Sequence, residues 1–136
     1  MLYEWDSLLE SGIERIDSQH KQLVMALNDL VKACHSGESG VELTSAVDFL
    51  VTYTAQHFED EEALQIQYKY VDYLRHRQIH REFRRVVEDI AERLRKEGPT
   101  AKLVEEVHSN MGDWLINHIK GDDFRLVTFI TTQLLK

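Results

Sequence analysis

The sequence predicts an all-α fold: an antiparallel up-down-up-down four-helix bundle with an N-terminal arm and a short C-terminal helix. Three observations carry that expectation. The six glycines and single proline of the 136 residues fall at a few breakpoints, where they end helices. Between the breakpoints, apolar residues recur at alternating steps of three and four, the period of a helix face. The connections are short, and short connections between long helices make neighbours antiparallel.

After a non-periodic arm, Asp17 or Ser18 can cap a first helix that runs to about Cys34 and stops at Ser36-Gly37 and Ser39-Gly40, since these hydroxyl and carboxylate side chains satisfy free N–H groups at helix starts. Its stripe is Leu23, Leu27, Leu30 and Cys34. A second helix, about 41–68, carries Leu43, Val47, Leu50, Thr54 and Leu64; a third, about 71–96, carries Phe83, Val87, Ile90 and Leu94 and stops at Gly98-Pro99. The fourth starts near Thr100 with Val104, Val107, Met111 and Trp114, and is expected to be interrupted at Gly121 ahead of a short terminal helix over about 122–135.

The totals narrow the function. A chain of 136 residues fits one domain, 1–136, with a core of its own. Apolar residues at 43% and charged residues at 29% are the balance of a soluble globular protein. No stretch is long enough to span a membrane and the N-terminus lacks the pattern of a secretory signal, so the expected compartment is cytoplasmic. Cys34 is the only cysteine, which excludes an internal disulfide and any thiolate-rich metal site. The net charge of -8 repels phosphate backbones and anionic lipid surfaces, so neither nucleic acid nor membrane is an expected partner, and the chain is expected to act as a monomer.

Continuing each stripe brings it onto residues that do not belong among hydrocarbons. The first stripe begins at His20, the second passes through His57 and Glu61, the third begins at His76 and His80, and the fourth ends at His118. Each buried imidazole or carboxylate without a partner costs about 2–7 kcal/mol, and six of them would exceed a folding stability of about 5–15 kcal/mol. His20, His76 and His80 lie near helix starts; His57, Glu61 and His118 lie toward helix ends. In an up-down bundle those are one and the same end, so the six converge in a layer. His57 with Glu61 and His76 with His80 are four apart, on one helix face, and a His/carboxylate set without thiolate suits iron or another first-row ion. His35 and His108 fall off the stripes or far from that end and are expected to be ordinary surface histidines.

The stretches IDSQHKQL at His20, HFEDEEAL at His57 and Glu61, HRQIHREF at His76 and His80, and WLINHIKGDDF at His118 together resemble the hemerythrin family, specifically its single-domain bacterial members, across essentially the whole chain. The resemblance implies a di-iron site in a four-helix bundle: His76, His80 and His118 on one iron, His20 and His57 on the other, Glu61 bridging both. For the second bridging carboxylate, Asp122, four residues after His118, is better placed on a regular helix, whereas Asp123 lies about 140° away. The family's aspartate comes five residues after this histidine, which selects Asp123; a kink or widened turn near Gly121 would bring it inward. Two positions depart from the family pattern: Gln65 stands where methionine is frequent, and Tyr70-Val71 where tyrosine-proline is.

On that ligand set, two six-coordinate irons with a bridging oxo or hydroxo group have one position open, on the iron held by two histidines. The resemblance therefore implies reversible binding of dioxygen at a non-haem di-iron centre, for oxygen storage, delivery or sensing, with an unidentified signalling or redox partner where sensing is the role. It implies a binding protein and not an enzyme. Leu23, Phe58, Trp114, Leu115 and Ile116 are the expected apolar lining of the oxygen pocket. The competing readings are a di-iron oxidase or peroxidase, which five histidines disfavour because such sites are carboxylate-rich, and a metal-free helical interaction module, which leaves the inward histidines unexplained.

Overall fold

A computed structural model describes residues 3–5, 7–35 and 41–135; the expected stop at Ser36–Gly40 lies outside the described residues. Three rods are uninterrupted α-helices: α1 (Glu14–His35), α2 (Val41–Gln67) and α3 (Tyr73–Glu97). The fourth is composite. It runs through α4 (Ala101–Glu106), a π-helical turn π1 (Val107–Asp113), α5 (Trp114–His118), a second π-helical turn π2 (Ile119–Asp123) and α6 (Phe124–Leu134). Backbone dihedrals remain right-handed helical at each junction from Glu106 onward. The fourth rod therefore does not break at Gly121 as expected: it widens by a residue and continues, and the terminal helix is its last segment.

α1 packs on α2, α2 on α3, and α3 on α4 and π1, which return to α1, closing a four-helix ring. Among the described residues there is no strand, and no helix is long and apolar enough to cross a membrane. Thr100 accepts a bond from Leu103 N at 3.2 Å and caps α4. Gly98, at φ 75°, ends α3 in a conformation that favours glycine. Asp17 does not cap α1. The helix starts three residues earlier, and the Asp17 carboxylate accepts from Ser11 N, Ser11 Oγ and Gly12 N at 2.8, 2.7 and 3.1 Å, fastening the preceding loop instead.

The buried faces follow the expected stripes with two shifts. On α2, Leu64 is only half-buried and Gln65 takes the inward place. On the fourth rod the buried set is Leu103, Val107, Met111 and Leu115, with Val104 and Trp114 half-buried; beyond π1, whose turn holds one more residue than an α-turn, Leu115 takes the inward place expected of Trp114. The main apolar core fills the bundle from Leu43 and Leu94 to Leu23, Phe58 and Leu115. A second, smaller cluster of Tyr70, Leu126 and Ile130, flanked by Ile13, Tyr68 and Phe129, gathers the α2–α3 turn, the approach to α1 and α6. That cluster closes the end of the bundle at which α1 and α3 begin and α2 ends, so polar residues of that end lie between two dry layers.

Candidate metal centre

The sequence-predicted ligands His20, His57, Glu61, His76, His80, His118 and Asp123 are all brought together and all at most 3% exposed. Their donor atoms form two groups that share both carboxylates: Glu61, His76, His80, His118 and Asp123 in one, His20, His57, Glu61 and Asp123 in the other, each with its atoms within 4.8 Å of one another. Glu61 Oε1 lies 3.0 Å from His76 Nε2 and 3.3 Å from His80 Nε2, while Glu61 Oε2 lies 3.3 Å from His57 Nε2 and 3.8 Å from His20 Nε2. Asp123 divides the same way: Oδ1 is 3.0 Å from His76 Nε2 and 3.1 Å from His118 Nε2, and Oδ2 is 3.0 Å from His20 Nε2. Each carboxylate thus gives one oxygen to each group.

The residues fit a bound cation by a direct test. His20 Nε2, His57 Nε2, both oxygens of Glu61 and Asp123 Oδ2 are buried and make no hydrogen bond, although His20 Nε2 and Asp123 Oδ2 are only 3.0 Å apart. Atoms that close without a donor angle are converging on a common point. Two donors about 2.1 Å from one ion and at right angles are about 3.0 Å apart, which is the spacing of His76 to either carboxylate and, at 3.1 Å, of His80 Nε2 to His118 Nε2. The cluster also demands positive charge. Burial disfavours the charged imidazole, but Asp123 and Glu61 reverse this and raise His20 and His76 to about 9. For His118 burial is outweighed by Asp123 and Asp122, to about 10. Burial pushes the carboxyls of Glu61 and Asp123 up, yet the surrounding imidazoles hold both well below the usual carboxylate range.

The outward nitrogens of three imidazoles are held by residues that spacing alone did not assign. His57 Nδ1 donates to Gln19 Oε1 at 2.7 Å, His80 Nδ1 to Glu62 Oε2 at 3.1 Å, and His118 Nδ1 to Asp122 Oδ2 at 2.9 Å. Each bond fixes the tautomer that leaves Nε2 free to ligate. Asp122, the rival for the bridging position, is outside both donor groups; it accepts from His118 and pairs with Arg75 and Arg125. One further residue escaped the sequence patterns: Gln65, one turn beyond Glu61, is fully buried with neither amide atom bonded. The sequence marked it as a departure from the family pattern, but the stripe of α2 gave the core place to Leu64.

Of the expected apolar lining, Phe58 is buried and stacks on His80 with centroids 3.8 Å apart, and half-buried Trp114 stacks on His118 at 4.6 Å. The Trp114 ring also stacks on Phe83 at 3.8 Å, tying the layer to the main core. Leu23 and Leu115 are buried in that core. Ile116 is half-buried and packs against the same core, although two residues before His118 it lies about 200° round the helix from it.

The fold and this layer define a helical-bundle protein able to hold cations through histidine and carboxylate. The model of the hemerythrin HHE cation binding domain matches residues 11–130, and the chain belongs to the hemerythrin family. It is 32% identical over 123 residues to a myohemerythrin of Theromyzon tessulatum, covering 90% of this chain and 89% of that one. It is 33% identical over 119 residues to a bacteriohemerythrin of Pseudomonas aeruginosa, covering 88% and 75%, and 32% identical over 123 residues to a myohemerythrin of Sipunculus nudus, covering 90% and 89%.

Proposed function

We propose that this protein binds dioxygen reversibly at a non-haem di-iron centre, the property for which the hemerythrin family is known. The observation that carries the reading is the division of each carboxylate between two imidazole groups, an arrangement suited to two ions and wasteful for one. His76, His80 and His118 would hold one iron, His20 and His57 the other, with Glu61 and Asp123 spanning both. Bound iron supplies the electrons that dioxygen takes up on binding and returns on release.

The chain's own residues do the rest. Three histidines against two leave the His20–His57 side with room for a small ligand. Gln19, Glu62 and Asp122 keep three Nε2 lone pairs aimed inward, and the anionic acceptors behind His80 and His118 make those imidazoles the stronger donors. Phe58, Trp114, Leu23 and Leu115 keep water from the layer, which protects a reduced centre from losing its electrons irreversibly. This reading makes the protein a store, carrier or sensor of oxygen rather than an enzyme, working as a monomer in the cytoplasm and engaging neither nucleic acid nor membrane.

The test is metal analysis followed by spectroscopy on anaerobically purified protein. Two irons per chain and a visible absorption that appears in air and bleaches under vacuum are expected. Protein that consumes a reductant continuously in air while its spectrum stays oxidised would make it an oxidase, and iron-free protein would remove the proposal altogether.

A further inference from the structure

The two histidines that spacing left as ordinary surface residues meet each other. His35 is the last residue of α1 and His108 the second residue of π1. Their Nε2 atoms are 3.4 Å apart, with ring centroids 5.7 Å apart and planes inclined at 45°. At a rise of 1.5 Å per residue, the end of α1 is about 22 Å along the helix from His20, so this pair is separate from the buried layer.

We propose that His35 and His108 form a second cation site, taking one divalent ion of tetrahedral preference such as zinc and tying the C-terminal end of α1 to the π1 turn. The separation of the nitrogens fits an ion shared between the two rings. N–H donors in proteins lie about 2.7–3.2 Å from their acceptors, and 3.4 Å is outside that range. Two imidazole nitrogens each about 2.0–2.1 Å from a tetrahedral ion are about 3.3–3.4 Å apart, whereas a right-angled octahedral arrangement brings them to about 2.9 Å. Imidazole suits zinc, copper and nickel better than hard cations such as magnesium or calcium. Burial is the main cause that lowers the His108 ring below its ordinary value, which keeps its lone pair available near neutral pH.

The surroundings hold His108 in place and leave His35 reachable. The single proton of Tyr3 Oη is shared between the His108 carbonyl at 2.9 Å and Asp113 Oδ1 at 3.0 Å. The Tyr3 ring lies so close over Gly112 that a Cβ there would be 2.1 Å from the hydroxyl. The N-terminal arm is fixed at its other side by Asn28, which accepts from Tyr3 N at 2.8 Å and donates to Tyr3 O at 2.7 Å. His108 therefore sits on a backbone clamped from two directions, while His35 is exposed at a helix end. Among the described residues no third His, Cys, Asp or Glu joins the pair in a donor group, so water would complete the coordination. Bound, the ion links α1, the fourth rod and, through His108, the arm.

The experiment is a zinc titration of the full, iron-loaded chain by calorimetry. One zinc per chain beyond the iron is expected. Affinity should fall at least about tenfold, equivalent to about 1.4 kcal/mol, in His35→Ala and separately in His108→Gln, with iron content and the visible spectrum unchanged. His35→Gln, exposed and at a helix end, serves as the second variant should His108→Gln disturb folding. Zinc binding equally to the wild type and the variants, absent from all of them, or matched by release of iron overturns the site. Because the comparison is between variants outside the iron layer, its outcome does not depend on whether the oxygen-binding proposal holds.

Discussion

Replacing Gln65 with methionine should stabilise the metal-free protein, and the size of the effect can be worked from the atoms involved. Gln65 is 0% exposed, and neither Oε1 nor Nε2 has a hydrogen-bond partner. A buried polar group left unpaired costs about 1–3 kcal/mol, so the amide carries at least about 2 kcal/mol of desolvation that the unfolded chain does not. Methionine keeps the unbranched length, loses a similar rotamer entropy on burial, and adapts to an irregular gap. A water bridging the amide to neighbouring groups would already recover part of the penalty, which sets the expected gain at about 1–3 kcal/mol. With a urea m-value of about 1–3 kcal/mol/M, the unfolding midpoint of Gln65→Met should rise by about 1 M. The assay is equilibrium urea unfolding by circular dichroism, with iron stoichiometry measured alongside and expected not to change. A midpoint that stays or falls at constant m would show that the amide is fully satisfied inside the bundle and that its two atoms carry no desolvation cost.

Three further predictions bear on the buried layer. Glu62→Gln and Asp122→Asn should each weaken iron retention about 10–100-fold in chelator competition, and Gln19→Leu should do the same through His57; equal retention in all three would show that the outward bonds do not orient the ligands. Phe58→Ala should cost about 3–5 kcal/mol and also shorten the life of the reduced iron protein in air, since it opens the face of His80; lost stability with an unchanged oxidation rate would place Phe58 in packing alone. Metal-free stability should be greatest between about pH 4.5 and 6.5. His20, His76 and His118, raised to about 9, 9 and 10 from 6.5, contribute fully below 6.5 and lose that contribution as pH rises through their folded values. Glu61 and Asp123, lowered from 4.5 and 3.8, lose theirs as pH falls below the unfolded values. A metal-free protein most stable at pH 9 would contradict the ion pairs seen in the layer.

The bundle and the convergence of its buried histidines and Glu61 were legible because both obey the helical period. A stripe that begins or ends on His20, His57, Glu61, His76, His80 or His118 places each of them inward, and antiparallel order places them at one end. Asp123 was not legible from spacing, because a regular helix assigns the inward place to Asp122; only resemblance favoured Asp123. The outward acceptors were hidden for a different reason. Gln19 and Glu62 reach imidazoles on neighbouring rods, across 38 and 18 residues, and no periodicity within one helix encodes the facing side chain of another. The His35–His108 contact, across 73 residues, is invisible on the same grounds, and Gln65 displaced Leu64 from the core by one position, a rotation too small for a stripe of steps of three and four to resolve.

The widened turn explains why two adjacent aspartates do two different jobs. On a regular helix the residue four after His118 sits within about 40° of it and the residue five after sits about 140° away; one aspartate would face the layer and the next would face solvent. Inward placement of Asp122 would leave the Nδ1 of His118 without the acceptor it has now, because a single carboxylate cannot bridge the layer and also reach round to the outer nitrogen. π2 adds one residue to the turn, so that Asp123 comes under His118 while Asp122 stays at the side, 2.9 Å from His118 Nδ1. Arg75 and Arg125 pair with Asp122 from outside and keep it ionised, its carboxyl held well below the usual range first by His118. One inserted residue thus supplies both a shared carboxylate and an anionic support for a neighbouring imidazole, and it does so without breaking the rod whose last segment, α6, must continue to cover the layer with Leu126 and Ile130.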